Sequence, residues 1–343
     1  MRTWLVTGAA GFIGSNFLWR VIQRNVAEGD FDAKVVLLDS LTYAGHESTF
    51  EEQAKVLGKG HFVFCKGDIC DAGLVANLMQ THNVSSVVNF AAESHVDRSI
   101  LGAAPFVQTN VVGTSVLLGC FLEHLDKGVD AEDPRFLQIS TDEVYGSLDS
   151  FDPPFTETTL LHPNSPYSAS KVGADMLVSA FHETHGLPTL ITRCSNNYGP
   201  YQMPEKLIPL IIAKIHADEQ IPVYGDGMNV RDWIHVADHT EALMRVMERG
   251  RVGEVYNIGA EQESTNLEIV RALLQLADKP DSLIEFVEDR KGHDFRYAID
   301  NTKIRQDTGW RPRTAIMAGL EETYMWYVNN PMWWRPLLKQ AAL

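Results

Sequence analysis

Thr7-Gly8-Ala9-Ala10-Gly11-Phe12-Ile13-Gly14 follows the short strand-like run Thr3-Trp4-Leu5-Val6 and opens a helix-like segment expected to reach about residue 26. Glycines at 8, 11 and 14 let the backbone turn tightly and approach a pyrophosphate held at the helix N-terminus. Working outward, a second strand, Lys34-Val35-Val36-Leu37-Leu38, ends in Asp39, 25 residues beyond Gly14. An acid near that spacing binds the adenosine ribose hydroxyls, and Asp39 favours NAD over NADP because a 2′-phosphate would be repelled. Two more runs follow, His61-Phe62-Val63-Phe64 ending near Asp68-Ile69 and Ser86-Val87-Val88-Asn89-Phe90 ending in Ala91-Ala92-Glu93-Ser94-His95. The small residues at 91 and 92 leave room for a dinucleotide against the strand ends, whereas Asp68 reads equally well as a helix N-cap or an adenine contact. Strands alternating with helical segments predict an α/β fold with a doubly wound parallel Rossmann sheet.

A chain of 343 residues can hold one large or two small cores. Its net charge of −16 repels polyanions, which argues against nucleic acid or an anionic membrane as partner. Cys65, Cys70, Cys120 and Cys194 match neither a zinc knuckle nor a disulfide framework, so reduced thiols in a cytoplasmic protein are expected. The 12 histidines show no ligand spacing, and no metal is expected. The apolar run after Arg2 enters the glycine loop too soon for a secretory segment, and no stretch of about 18 apolar residues suggests a membrane span.

The chemistry is concentrated further along. Phe136-Leu137-Gln138-Ile139 runs through Ser140 into Thr141-Asp142-Glu143-Val144-Tyr145-Gly146. A strand ending in two adjacent carboxylates sets them at the carboxyl edge of the sheet, where open α/β folds bind ligands. Paired acids suit the removal of one proton and the supply of another when their environments separate their pKa values. Beyond Pro166, Tyr167-Ser168-Ala169-Ser170-Lys171 begins a helical stretch to about His185, and residues four apart share a helix face. Lys171 can therefore approach the Tyr167 side and the nicotinamide ribose, and its ammonium favours a phenolate able to take a hydroxyl proton.

These motifs, with Ala91 to Ser99, Ser195-Asn196-Asn197-Tyr198-Gly199-Pro200 and Arg231-Asp232-Trp233-Ile234-His235-Val236, resemble the extended short-chain dehydrogenase/reductases that modify nucleotide sugars, and within them the dTDP-glucose 4,6-dehydratase family. The likeness runs over nearly the whole chain, and Thr141-Asp142-Glu143 is its most discriminating part. It implies that Tyr167, assisted by Thr141 and Lys171, takes the sugar O4 proton. Glu143 then removes the C5 proton while Asp142 protonates the departing C6 hydroxyl. The resemblance further implies NAD contacts from Gly8, Gly11, Phe12, Ile13, Gly14, Asp39, Ser40, Thr42, Asp68, Ile69, Ala91, Ala92, Ser94, Thr109, Tyr167, Lys171 and Asn197. For the nucleotide sugar it implies Ser94, Thr141, Asn196, Lys206, Leu207, Pro222, Tyr224, Arg231, Asn266, Arg290, His293 and Tyr297, with Arg231 and Arg290 as phosphate clamps.

Residues 1–194 with about 232–262 are expected to form the NAD-binding domain, Gly253 to Gly259 supplying a returning strand. About 195–231 with 263–343 are expected to form a smaller, loop-rich, lid-like substrate domain around Pro200, Pro204, Pro209 and Pro222. The aromatic tail, Tyr324 to Trp334, reads as packing. Helical segments 104–126 and 167–185 carry apolar faces that the resemblance assigns to a four-helix homodimer contact. Nucleotide-sugar 4-epimerases and UDP-glucuronate decarboxylases share the fold but lack the Asp142 counterpart, and a non-catalytic NAD sensor would need none of these acids. The implied product serves deoxysugar biosynthesis, that of rhamnose included.

Overall fold

The computed structural model describes residues 2–24, 33–57, 61–129, 131, 133–289 and 292–341. Seven strands form one parallel sheet: β1 (Arg2–Thr7), β2 (Ala33–Asp39), β3 (Phe62–Lys66), β4 (Ser86–Asn89), β5 (Arg135–Thr141), β6 (Thr189–Cys194) and β10 (Val255–Ile258). Their order, β10-β6-β5-β4-β1-β2-β3, is doubly wound. The chain reverses direction between β1 and β4, and such a switch point opens a crevice at the strands' carboxyl ends. There Thr7 lies opposite Asn89, and its hydroxyl donates to Asn89 Oδ1 at 2.6 Å.

Both faces of the sheet are covered, so its strands read as continuous apolar runs rather than alternating ones. Along β1, Trp4 and Val6 face one core with Phe17, Leu18, Leu243 and Met247, while Leu5 faces the other with Leu117, Phe121 and Val178. The segment Ala104–Asp126 is long and apolar enough to cross a membrane by length and composition, in contrast to the sequence expectation. Leu117, Leu118 and Phe121 nevertheless pack it into the second core.

The region after 195 is more ordered than its prolines suggest. It contains β7 (Asn196–Tyr198), β8 (Ile221–Tyr224) and β9 (Val230–His235), and further on β11 (Glu263–Thr265) and β12 (Ile284–Val287). β11, β9 and β7 form a three-stranded sheet, and β12 pairs with β8. Pro209 sits in the first turn of the helix Leu207–Ala217, where a missing N–H costs nothing, and Pro222 lies in a two-stranded sheet where one edge needs no partner. The loop-rich expectation is corrected accordingly. The chain returns to the large sheet through the helix Val236–Arg249 and β10, which pairs with β6.

A third core of Tyr198, Ile208, Ile212, Trp233, Leu273 and Leu320 takes in Tyr327 and Trp334. Tyr327 donates its hydroxyl to Gln202 O, and Trp326 and Trp333 contact the Tyr201 ring. The aromatic tail is therefore packing, and it fixes the 201–203 segment.

Candidate active site

At the glycine loop the backbone does what side chains cannot. Gly8 has a φ of +65°, and a Cβ there would lie 2.5 Å from Ala91 N. At Gly14 a Cβ would meet Gly8 O at 2.6 Å, so loop and helix touch through backbone alone. Gly11 caps the helix Phe12–Ile22 without a side chain. Asp39 pins the loop from below: Ala10 N–H donates to Oδ2 at 2.9 Å and Leu41 N–H to Oδ1 at 2.8 Å. Burial pushes its carboxyl upward while those two N–H groups oppose the shift.

From this loop a cleft of about 390 Å³ runs along the switch point. All residues expected to contact the dinucleotide line it: Gly8, Gly11, Phe12, Ile13, Gly14, Asp39, Ser40, Thr42, Asp68, Ile69, Ala91, Ala92, Ser94, Thr109, Tyr167, Lys171 and Asn197. Asp68 is not the cap of the next helix, a place taken by Asp71; its Oδ1 accepts from Cys70 N–H at 2.8 Å. The glycine cradle, the uncapped helix start and the acid that ends β2 fit a dinucleotide.

Thr141, Asp142, Glu143, Tyr167 and Lys171 line the same cleft. Thr141 ends β5, and Asp142–Tyr145 form a 3-10 turn that its hydroxyl caps by accepting from Glu143 N–H at 3.3 Å. Gly146, at φ +93°, ends the turn against His162 O. Asp142 is 2% exposed. Burial raises its pKa well above the carboxylate range, Glu143 and Asp232 raise it further, and Arg231 and Thr141 oppose them. The proton is thus favoured on Asp142. Tyr167 is raised well above its ordinary value, first by burial and then by Glu143, with Thr141 acting the other way.

The helix Pro166–His185 begins with Ser165, whose hydroxyl accepts from Ser168 N–H, a reciprocal capping box that fixes where Tyr167 projects. Tyr167 N–H donates to Ser99 Oγ at 3.2 Å, tying the HVDRS segment to it. Lys171 Nζ donates to Ile139 O at 2.6 Å.

Of the residues expected at the nucleotide sugar, Ser94, Thr141, Asn196 and Lys206 line the cleft, and Lys206 Nζ reaches Ser94 O at 3.2 Å. The other described ones do not line it. Leu207 begins its helix, Pro222 and Tyr224 lie on β8, and Asn266 begins the helix Asn266–Leu276. His293 bonds Asp289 at 2.6 Å and faces the Tyr224 ring. Arg231 is expected as a phosphate clamp, yet it is 4% exposed and donates to Val230, Asp294 and Phe295 carbonyls, with its guanidinium 4.4 Å from the Tyr297 ring centroid. Both groups still meet the acids electrostatically, since Arg231 lowers Asp142 and Glu143 raises Tyr297. Arg290 lies outside the described residues.

Sequence reasoning missed several groups around these. Asn110 accepts from Glu93 N–H at 2.9 Å and donates to Ser170 Oγ at 2.8 Å. His239, pulled down to about 3 by burial, bonds Asn197 Oδ1 at 2.8 Å and so is neutral. Asp175 pairs with Arg193 behind Lys171. For Asp175 a signal existed, because it continues the four-residue spacing of Tyr167 and Lys171; for Asn110 and His239 none did.

A doubly wound sheet, a glycine-floored cleft and a Tyr-x-x-x-Lys pair at its centre define a dinucleotide-dependent enzyme of the short-chain dehydrogenase/reductase type. Comparison with known proteins narrows this. Residues 5–323 match the family model described as GDP-mannose 4,6 dehydratase. The dTDP-glucose 4,6-dehydratase of Xanthomonas campestris pv. campestris is 51% identical, covering 97% of this chain and 95% of that one. Among solved structures, DesIV (dTDP-glucose 4,6-dehydratase) of Streptomyces venezuelae with NAD and TYD bound is 47% identical, covers 98% of this chain and 99% of its own, and superposes with a TM-score of 0.90. The Bacillus anthracis enzyme in complex with NAD is 43% identical, with a TM-score of 0.87 and coverage of 98% and 100%. The chain belongs to the dTDP-glucose 4,6-dehydratase family.

Proposed function

We propose that the protein converts dTDP-glucose to dTDP-4-keto-6-deoxyglucose and water, with NAD as its cofactor. The observation carrying this reading is the presence of Asp142 and Glu143 in the same cleft as Tyr167 and Lys171, with burial favouring the protonated form of Asp142. When bound, NAD accepts a hydride from sugar C4 and returns it at C6. Tyr167 takes the O4 proton, with Lys171 one helical turn away in the same cleft; burial and then Glu143 oppose its phenolate, and the Thr141 hydroxyl acts against that cost. The resulting 4-ketone acidifies C5–H. Glu143 removes this proton, Asp142 gives its own to the leaving C6 hydroxyl, and Glu143 restores a proton at C5.

The glycine loop, Asp39 and the Asp68–Ile69 and Ala91–Ala92 turns hold the dinucleotide. Asn196, Lys206 and Leu207 serve the diphosphate, and Pro222, Tyr224, Arg231, Asn266, Arg290, His293 and Tyr297 complete the nucleotide pocket. In this division residues 1–194 and about 232–262 serve mainly NAD, β9 excepted, and the remainder the sugar nucleotide. The four cysteines are free thiols, which suits a cytoplasmic enzyme supplying deoxysugar assembly, rhamnose included. We also take the protein as a homodimer without membrane or nucleic-acid partner.

Incubation with dTDP-glucose bearing deuterium at C4 tests the reading. The label is expected at C6 of the same molecule, with the 4-keto-6-deoxy product formed from dTDP-glucose but not from UDP-glucuronate. Loss of deuterium to solvent, or an epimer as product, would overturn it.

A further inference from the structure

Behind Lys171 lies a buried polar chain that the proposed chemistry leaves unused. Tyr167, Lys171 and Asp175 follow one another at four-residue intervals on one face of the helix Pro166–His185. Asp175 is fully buried, and its Oδ2 accepts from Arg193 Nε at 3.0 Å. Arg193 Nη1 in turn donates to the Tyr145 hydroxyl at 3.0 Å, and that hydroxyl donates to Asn257 Oδ1 at 2.8 Å. Tyr145 is the last residue of the turn Asp142–Tyr145, its ring stacked on Phe155. The chain therefore starts one helical turn beyond the lysine that assists oxidation and ends at the turn that carries the elimination acids.

We propose that Asp175 is a positioning residue: one turn beyond Lys171 on the same helix face, it supplies that ammonium with a counter-charge and, through Arg193 and the Tyr145 hydroxyl, holds the Asp142–Glu143 turn in fixed relation to the helix. The inference rests on the reading of the site given above.

Buried ammonium groups lose their proton readily unless a counter-charge stands near. Burial does pull Lys171 below its ordinary range, and Asp175 is the foremost influence restoring it, followed by Cys194. Cys194, pushed up to about 12, stays a thiol. The titratable groups acting on the lysine are Asp175 from its own helix and Cys194 from β6, while Tyr167, Asp142 and Glu143 line the same cleft. Asp175 is the carboxyl that acts on the lysine. Burial raises the Asp175 carboxyl as well, and Arg193 and then Lys171 are the foremost influences opposing that rise.

The test pairs a direct titration with kinetics. Lys171 is followed by NMR in NAD-free protein carrying 13C-labelled lysine. Asp175→Asn is expected to lower its midpoint by about one pH unit or more, and Asp175→Glu to restore much of that shift. In turnover, Asp175→Asn should lower kcat about tenfold or more with KM for the sugar nucleotide within about threefold, and move the alkaline limb of kcat downward. Tyr145→Phe, which keeps the ring and loses only the hydroxyl, should leave the Lys171 titration in place but slow elimination, so that NADH absorbance accumulates during a single turnover. An unmoved Lys171 midpoint in Asp175→Asn, or wild-type elimination in Tyr145→Phe, overturns the proposal. If Asp175→Asn does not fold, Asp175→Glu and Tyr145→Phe decide it alone. Absence of dTDP-glucose turnover in the unmodified protein would instead defeat the functional reading, while the titration would still decide the role of Asp175.

Discussion

At Asp142 the carboxyl has one oxygen, Oδ2, that is buried and accepts no hydrogen bond within the described residues. An unsatisfied buried oxygen is costly in a fold and suits a proton donor awaiting a substrate hydroxyl. Because burial raises its pKa, the acid form persists to higher pH than in a free carboxyl and is depleted only as pH climbs through that raised value. Elimination is therefore expected to fail on the alkaline side of the kcat profile, and Asp142→Asn to slow water loss while abolishing that dependence, as read by product formation across pH. Tyr167 titrates in the opposite sense for catalysis, since it must lose its proton: with burial raising it, the oxidation step should quicken as pH rises toward that raised value. Glu143→Gln is expected to bind NAD as the wild type does and to form NADH from dTDP-glucose, yet to lose at least about 100-fold in overall turnover; stopped-flow absorbance and product analysis separate the two steps. The adjacent acids were legible in the sequence because they sit side by side. The raised value of Asp142 was not, since it depends on burial first and then on Glu143, Asp232 and Arg231, the last two some ninety residues away.

At the scale of elements, the glycine loop, β1, β2 and the Pro166–His185 helix could be read from local pattern, as each carries its own signal: closely spaced glycines, apolar runs, a proline at the helix start. The small sheets could not. β7 and β11 are three residues each, too short for any alternation to register, and they exist because β9 lies between them. Arg231 follows the same logic: its charge is visible in the sequence, but its engagement with carbonyls 294 and 295 depends on a segment more than sixty residues on. One prediction belongs here. Gly14→Ala sets a Cβ 2.7 Å from Ala9 Cα as well as near Gly8 O, both backbone atoms that cannot rotate aside. It is expected to weaken NAD binding about tenfold or more, a loss of about 1.4 kcal/mol, with the sugar-nucleotide chemistry lost in proportion; calorimetric titration of NAD checks it.

For the whole molecule, the doubly wound order followed from alternating strands and helices, whereas assembly is written only on the surface. Val107, Val112 and Met176, 48%, 40% and 47% exposed, lie on the two helical segments 104–126 and 166–185. Sedimentation at micromolar concentration is expected to give a dimer, and Val112→Glu with Met176→Glu a monomer that retains its far-UV spectrum; a monomer from the unaltered protein would end the dimer reading. NAD, restored in each cycle, is expected to copurify and to appear on denaturation as an absorbance released from the protein.

Tyr327 grips Gln202 O, and Trp326 and Trp333 brace Tyr201, next to the rim residues Gln202 and Met203. During synthesis the stretch of rim at Tyr201 and Gln202 can therefore gain these supports only after residue 333 has left the ribosome. A nascent chain stalled before that point should capture the cofactor poorly and handle no sugar, which makes completion of translation itself a safeguard against half-built catalysts.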